Sequence, residues 1–296
     1  MINRRQAIVG AGLGTSAALL GSVAQSANAL MPTKRSGTTD IDKLDKLETM
    51  IRMRSRTDGE ISIAWLDAQR EFVIDGEIIP FCKLNSLVIS RCKKLEPTIA
   101  VLDTIEITYY CDRNTGELLE TATMPRASEP VAVPIYRSGP SDISFNKSFD
   151  DWEWHEPKNK GEAAAAFAPP SWVHLVRGIR DPWVVGNDYY LRADEYGSVY
   201  PDRSKPASGY YREFIVWKAT ADAVMQSDSP DVPSDYAYSA VSAFRPWMKM
   251  QGIEGHTVEN GRGQKIRSNS ELPPQLVKLL AKHDPKALDD PRSLFK

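Results

Sequence analysis

Residues 60–112 read EISIAWLDAQREFVIDGEIIPFCKLNSLVISRCKKLEPTIAVLDTIEITYYCD, and their pattern decides the fold class. The runs EISIAWL, REFVID, LNSLVIS and DTIEITYYCD are rich in β-branched and aromatic residues, and turn chemistry such as Asp75-Gly76 and RNTGE punctuates them. Such side chains pack well on a pleated surface, and Asp-Gly tolerates the left-handed backbone of a tight hairpin, so the stretch predicts short consecutive strands. The same pattern resumes in VAVPIYR, SWVHLVR, NDYYLRA, YYREFIVWKA, YAYSAVSAF and HTVE, with a Pro- and Ala-rich interruption at 156–170. About ten such strands without intervening long helices predict a mainly β fold, an antiparallel β-barrel or barrel-like sandwich.

Helical periodicity flanks the strands. Ile41, Leu44, Leu47 and Ile51 follow Asp40, a candidate N-cap, and predict a packing helix of about 14 residues. At the far end PPQLVKLLAKHD places Leu276, Leu279 and Leu280 on one face of a second packing helix opened by Pro273 and Pro274. A short helix is expected at TADAVMQS.

The first 29 residues combine a twin arginine, Arg4-Arg5, with a Gly-rich apolar run and a small-residue cleavage site, Ala27-Asn28-Ala29. This predicts a Tat-type signal peptide over 1–29, a flexible leader over 30–40 and a single β-barrel domain over 41–292, delivered to the periplasm or secreted. Four glycines between residues 10 and 21 weaken the apolar run as a spanning helix, so no stable membrane insertion is expected after cleavage. Of the 37 basic side chains two leave with the signal, and 35 against 39 acidic ones give the remainder a net charge of −4. That balance offers no footprint for nucleic acid. Cys82, Cys92 and Cys111 permit at most one disulfide.

Several chemistries lack their motifs. The four histidines, His155, His174, His256 and His283, show no metal-ligand spacing. No glycine-rich phosphate loop and no nucleophile elbow occurs. Neither metal nor cofactor is therefore expected, and an enzyme of this sequence would work with side chains alone.

Candidate site residues come from strand alternation. In SWVHLVR, Trp172 and His174 share a face, and on the inner wall of a barrel His174 would be a general base beside an aromatic. In GYYREFIVWKA, Tyr211 and Glu213 face one way and Arg212 the other. Glu213 would exchange protons or Arg212 hold an oxyanion, according to which set points inward. In DTIEITYY, Glu106, Thr108 and Tyr110 line a cavity only if Ile105 and Ile107 face an outer layer. In RPWMKM, alternation sets Arg245, Trp247 and Lys249 on a pocket rim and packs Met248 and Met250 in the core. The alternative there is a corner in which Trp247 plugs one end of the barrel.

Three stretches together carry a resemblance. YYCDRNTGELLETATMP (109–125), AFRPWMKMQGIEGHTVENGRGQKI (243–266) and ELPPQLVKLLAKHDPKALDDP (271–291) are similar to the DUF1838 family, exported bacterial and fungal proteins without an assigned function. The resemblance spans roughly residues 50–292, with PWMKM its most specific part. Proteins of this kind occur in bacteria that degrade aromatic compounds. The family label by itself supplies no chemistry, but with seven tryptophans, eleven tyrosines and eight phenylalanines the chain is expected to be a cofactor-independent lyase or isomerase for a bulky aromatic or phenolic molecule, a lignin-derived diaryl compound that loses formaldehyde being the specific expectation. His174, Glu213 and Arg212 would be catalytic, with Trp172, Tyr110, Tyr211, Arg245, Trp247 and Lys249 binding substrate. The rival reading is a lipocalin-like carrier of a hydrophobic small molecule. A homodimer is compatible with either.

Overall fold

A computed structural model describes residues 43–155, 172–226 and 228–295. The expected signal peptide, the leader, Asp40 and Ile41, and the interruption at 156–170 lie outside them. Thirteen strands follow in chain order: β1 (Ser62–Ile74), β2 (Glu77–Leu95), β3 (Ile99–Cys111), β4 (Thr121–Thr123), β5 (Pro130–Ala132), β6 (Tyr136–Asn146), β7 (Glu153–His155), β8 (Trp172–Ile179), β9 (Trp183–Val185), β10 (Asp188–Tyr200), β11 (Gly209–Thr220), β12 (Ser234–Ser242) and β13 (His256–Ile266).

Nine of these close a barrel in the order β8-β6-β3-β2-β1-β13-β12-β11-β10, with β10 pairing back to β8. Every pairing around it is antiparallel except β6 with β8, which run parallel and meet at Asn146 and Gly178. Strands β7 and β9 attach to β8 and β10.

The strands are longer than their sequence runs suggest. EISIAWL and REFVID belong to one strand, β1, because the polar Asp67 and Gln69 between them occupy the outward positions of an unbroken alternation. Its hairpin to β2 turns at Asp75 and Gly76, both with positive φ (52° and 81°), as a tight turn requires. HTVE likewise continues through Gly261 and Gly263, glycines that look like breakers in sequence. At Gly263 a Cβ would collide with the Tyr236 ring, so the residue gives up a side chain to let that ring lie against the wall. Tyr236 then reaches across to donate to the Trp65 carbonyl at 2.7 Å.

Helix α1 (Lys46–Arg54) closes one end of the barrel, touching β3, β8 and β11. It starts at Asp45, not Asp40: the Asp45 carboxylate accepts from the amides of Leu47 (2.8 Å) and Glu48 (3.1 Å), which the first turn leaves without partners. Met50, Ile51 and Met53 are buried completely. The last turn is held by Lys265, whose ammonium donates to the carbonyls of Arg52 and Ser55 and pairs with Asp231 at 2.6 Å. Helix α2 (Ala221–Met225), capped by the Thr220 hydroxyl, matches TADAVMQS.

The opposite end is closed by aromatic residues. Pro246–Met248 form a single 3-10 turn that sets Trp247 against Tyr110 (5.4 Å between ring centres) and Phe81 (6.3 Å). Outside the barrel, α3 (Pro274–His283) and α4 (Pro285–Asp289) cover β2 and β3, burying Leu276, Leu279 and Leu280 against Leu87, Ile89, Ile105 and Ile107. The isoleucines of β3 therefore face the helices, and Glu106, Thr108 and Tyr110 face the interior. Cys82, Cys92 and Cys111 are free thiols, the first and last buried.

Candidate active site

Antiparallel register fixes what the barrel encloses, because directly paired residues share a face. Going round the wall, Arg177 pairs with Glu195, Glu195 with Glu213, Glu213 with Ala240, Ala240 with Glu259 and Glu259 with Arg70. This belt runs across β8, β10, β11, β12, β13 and β1, and every member except Ala240 is ionisable. From the far wall β3 adds Glu106, Thr108 and Tyr110, and α1 sends Arg54 in from the end, its guanidinium 4.9 Å above the Phe145 ring.

These groups border a hollow. Arg54, Glu106, Arg177, Tyr211, Glu213 and Arg245 are surrounded by protein on all sides, yet each retains free surface. Both conditions hold together for side chains that line an internal space or a deep recess. A separate cleft of about 420 Å³ lies beyond the Phe72–Phe81 pair, between Ile74, Ile79, Pro80, Met124 and Pro125. It contains none of the interior arginines or glutamates, and its charged lining is Glu77 and Arg126.

Two ion pairs organise the interior. Arg70 Nε donates to Glu259 Oε1 at 2.9 Å, a second bond runs from Nη2, and Tyr238 donates to Oε2 of the same carboxylate at 3.0 Å. Arg177 forks onto Glu195, with Nη2 to Oε1 at 3.1 Å. Charge-assisted forks of this kind offset the desolvation of both partners. Outside the pairs stand Glu213, which accepts from the Tyr211 hydroxyl, and Glu106, which accepts from Thr108 at 2.8 Å.

Burial dominates the titration of the unpaired groups. It pushes the Glu213 carboxyl up to about 7, and the neighbouring Glu195 charge adds to the rise while the Tyr211 bond opposes it. Glu106 is raised for the same first reason, with Glu259 adding. Tyr211 is lifted well above the usual phenol range, by burial and then by Glu213. Burial lowers Arg54, and Glu213 is the leading influence that offsets this. A carboxyl with its proton affinity raised toward neutrality, hydrogen-bonded to a phenol and within electrostatic reach of a guanidinium, has the chemistry to exchange a proton beside a cation.

The sequence candidates separate cleanly. Glu213, Tyr211, Tyr110 and Arg245 come together inside the barrel. Trp247 plugs the end, and Met248 and Met250 are core. His174 is on the outer face, opposite to expectation: it pairs in register with Trp154 and stacks on that indole at 4.3 Å, because β8 turns Arg177 and Leu175 inward. Trp172 shares that outer face, with the Arg203 guanidinium 5.0 Å above its ring. Arg212 is exposed, over Tyr196 at 5.4 Å. The rim of Arg245, Trp247 and Lys249 does not form, since PWM is a 3-10 turn without strand alternation, and Lys249 ends it exposed and left-handed (φ 53°).

Sequence reasoning missed Arg54, Arg70, Arg177, Glu195, Tyr238 and Glu259. For Arg70 a signal exists: it interrupts the apolar alternate series Ala64, Leu66, Ala68, Phe72 of one strand face, where a charge has no place unless the face encloses polar partners. Among the described residues no group of three His, Cys, Asp or Glu side chains is placed to hold a metal ion.

Residues 199–295 match the family model described as protein of unknown function, DUF1838. Over this stretch the chain is similar to the DUF1838 family. No curated protein matches the chain. The second and third motifs noted in the sequence lie within the match, and YYCDRNTGELLETATMP lies outside it. The DUF1838 stretch supplies Tyr211, Glu213, Tyr238, Arg245 and Glu259, whereas Arg54, Arg70, Glu106, Tyr110, Arg177 and Glu195 precede it. The interior is thus assembled from both sides of the match boundary, and β13 of the DUF1838 stretch finds its partner in β1 outside it.

Proposed function

We propose that the hollow is the active site of a cofactor-independent lyase for an aromatic or phenolic small molecule, exported to the periplasm. The observation that carries this reading is Glu213: a carboxyl raised to about 7 on an inner wall, bonded to Tyr211 and near Arg54. A carrier needs an apolar lining with a few neutral polar groups, and three ionisable pairs in one hollow are a poor fit to that requirement. Tyr110, Tyr136, Tyr211 and Tyr238 give the space flat walls suited to aromatic rings.

The reaction proposed is loss of formaldehyde from a diaryl compound in which the carbon that carries the primary alcohol arm adjoins the carbon bearing the oxygen of a cyclic aryl ether, so that the ether ring opens. Glu213 takes the hydroxyl proton. The oxygen electrons become the carbonyl of formaldehyde as the carbon–carbon bond breaks, and the released pair forms a carbon–carbon double bond while the ether oxygen leaves as phenoxide. Arg54 stabilises that charge, and Glu213 returns the proton to it, so substrate divides into two products with no oxidant or reductant. Tyr211 positions the Glu213 carboxyl through its hydrogen bond.

The test is incubation with lignin-derived dimers, trapping of formaldehyde and mass analysis of retained and transformed compounds. Dimer consumption matched by formaldehyde, and abolished in Glu213→Gln, is expected. Tight binding with every dimer recovered unchanged would replace the lyase with a carrier.

A further inference from the structure

We propose that the pole of the hollow around Arg245 and Arg70 binds a carboxylate carried by the aromatic ligand. Two guanidinium N–H groups there are buried without a hydrogen-bond partner among the described residues: Nε of Arg245 and Nη1 of Arg70. A buried N–H left unpaired costs about 1–3 kcal/mol, more on a charged group, so two in one region leave room for an acceptor that the described residues do not supply.

The charges around them explain what kind of acceptor fits. Arg70 spends Nε and Nη2 on Glu259, and the second oxygen of Glu259 is taken by Tyr238. The other carboxyl of this pole, Glu106, already accepts from Thr108, and burial favours its neutral form. Arg245 has no ion pair of its own among the described residues, and Arg70 and Arg245 lie close enough to repel each other. The pole therefore gathers two guanidiniums, only one of them in an ion pair among the described residues, with a free donor on each. A carboxylate supplies one negative charge and two acceptor oxygens, which match both needs.

The walls suit an aromatic body behind that group. The Arg70 guanidinium lies 4.9 Å above the Tyr110 ring, and Tyr110 in turn meets Trp247 edge-on. This proposal rests on reading the hollow as a ligand site, but not on the reaction that follows there. Arg245 and Arg70 would act by binding and orienting, leaving Glu213 and Arg54 to the chemistry.

An isosteric pair of probes tests it: trans-cinnamate and trans-cinnamamide, titrated by quenching of tryptophan fluorescence and by calorimetry at low and high salt. The expected result is that cinnamate binds at least about ten-fold tighter than the amide, as loss of a charge-assisted pair implies. The preference should vanish in Arg245→Met. It should shrink in Arg245→Lys, which keeps the charge without Nε–H. Equal binding of the two probes to the unaltered protein, or no binding of either, overturns the proposal, whatever the variants do. So does a preference that survives Arg245→Met. Circular dichroism shows whether that variant is folded, and if it is not, the unaltered protein and Arg245→Lys still decide. Dimers turned over in a Glu213-dependent way with no carboxylate preference would remove this inference and leave the lyase standing. A cinnamate preference with no dimer consumed would do the reverse.

Discussion

Arg212 and Glu213 are adjacent in the chain, and β11 sends one outward and the other into the barrel. The outer face of β8, β10 and β11 carries His174, Tyr196 and Arg212, each half-buried or exposed and settled by stacking or by a cation over a ring. The inner face of the same strands carries Arg177, Glu195, Tyr211 and Glu213, all deep in the protein and linked by hydrogen bonds. Residue types on the two faces are alike: a basic group and aromatic groups, with acids among them. What differs is water. Outside, most charges are screened and their partners matter little, Asp194 under its two arginines, Arg180 and Arg192, being the exception. Inside, each charge must be matched or must move its proton, and the carboxyls without a cationic fork, Glu213 and Glu106, are the ones whose proton affinity rises.

The largest test of this contrast is catalytic. With a lignin-derived dimer as substrate, Glu213→Gln should lower the rate of formaldehyde release by about 10² to 10⁴, the usual worth of a general base. His174→Ala should leave it unchanged, since the imidazole is on the other side of the wall. Equal losses in both variants would erase the distinction between the faces.

Stability gives the next largest effect. Arg70→Ala strands Glu259 in the interior and should cost about 3–5 kcal/mol in denaturant unfolding. Lys93→Ala breaks the exposed Lys93–Asp142 pair, 2.7 Å long, and should not move the unfolding midpoint. A small loss at Arg70 would mean that water reaches the inner pair freely.

A third, smaller effect depends on pH. The folded Glu213 carboxyl holds its proton up to about 7, against 4.5 for an ordinary one, so between these values the folded state binds more protons than the unfolded. Stability from this group is therefore complete below pH 4.5 and lost as pH rises through about 7. The Glu213→Gln variant carries a neutral amide at this position and has no such loss. It should be more stable than the parent by about 1–3 kcal/mol at pH 8. The gap should close as pH falls, and a gap independent of pH would show that packing, not ionisation, sets it. Smallest of all, Arg212→Ala should alter unfolding by less than about 0.5 kcal/mol.

Alternation makes the partition of each strand legible without the structure, but not the choice of side. On β3 the isoleucines settle it once α3 is known to cover them, and the sequence already offers that helix through Leu276, Leu279 and Leu280. On β8 both faces carry aromatic or apolar residues, because Trp152 and Trp154 cover the outside as the barrel fills the inside. Trp172 and His174 thus look as inward as Val173, Leu175 and Arg177. Lys249 and Trp247 depart from expectation for another reason: proline opens a 3-10 turn where alternation presumes a strand. The belt from Arg177 to Arg70 has no local signature, since its members lie on different strands and meet only through register.

The pairing of β1 with β13 joins residues near 70 to residues near 260, from Ile63 with Ile266 to Val73 with His256. Closing so long a loop is entropically expensive before any contact rewards it, and chains dominated by such contacts fold slowly. On the ribosome, a nascent chain that stops short of residue 256 has no β13, and it leaves β1 and β12 as open edges and Arg70 without Glu259. The cylinder therefore cannot close before residues 256–266 have been made. Until then Arg70 has no Glu259 to pair with, and the raised proton affinity of Glu213 belongs to the closed barrel alone.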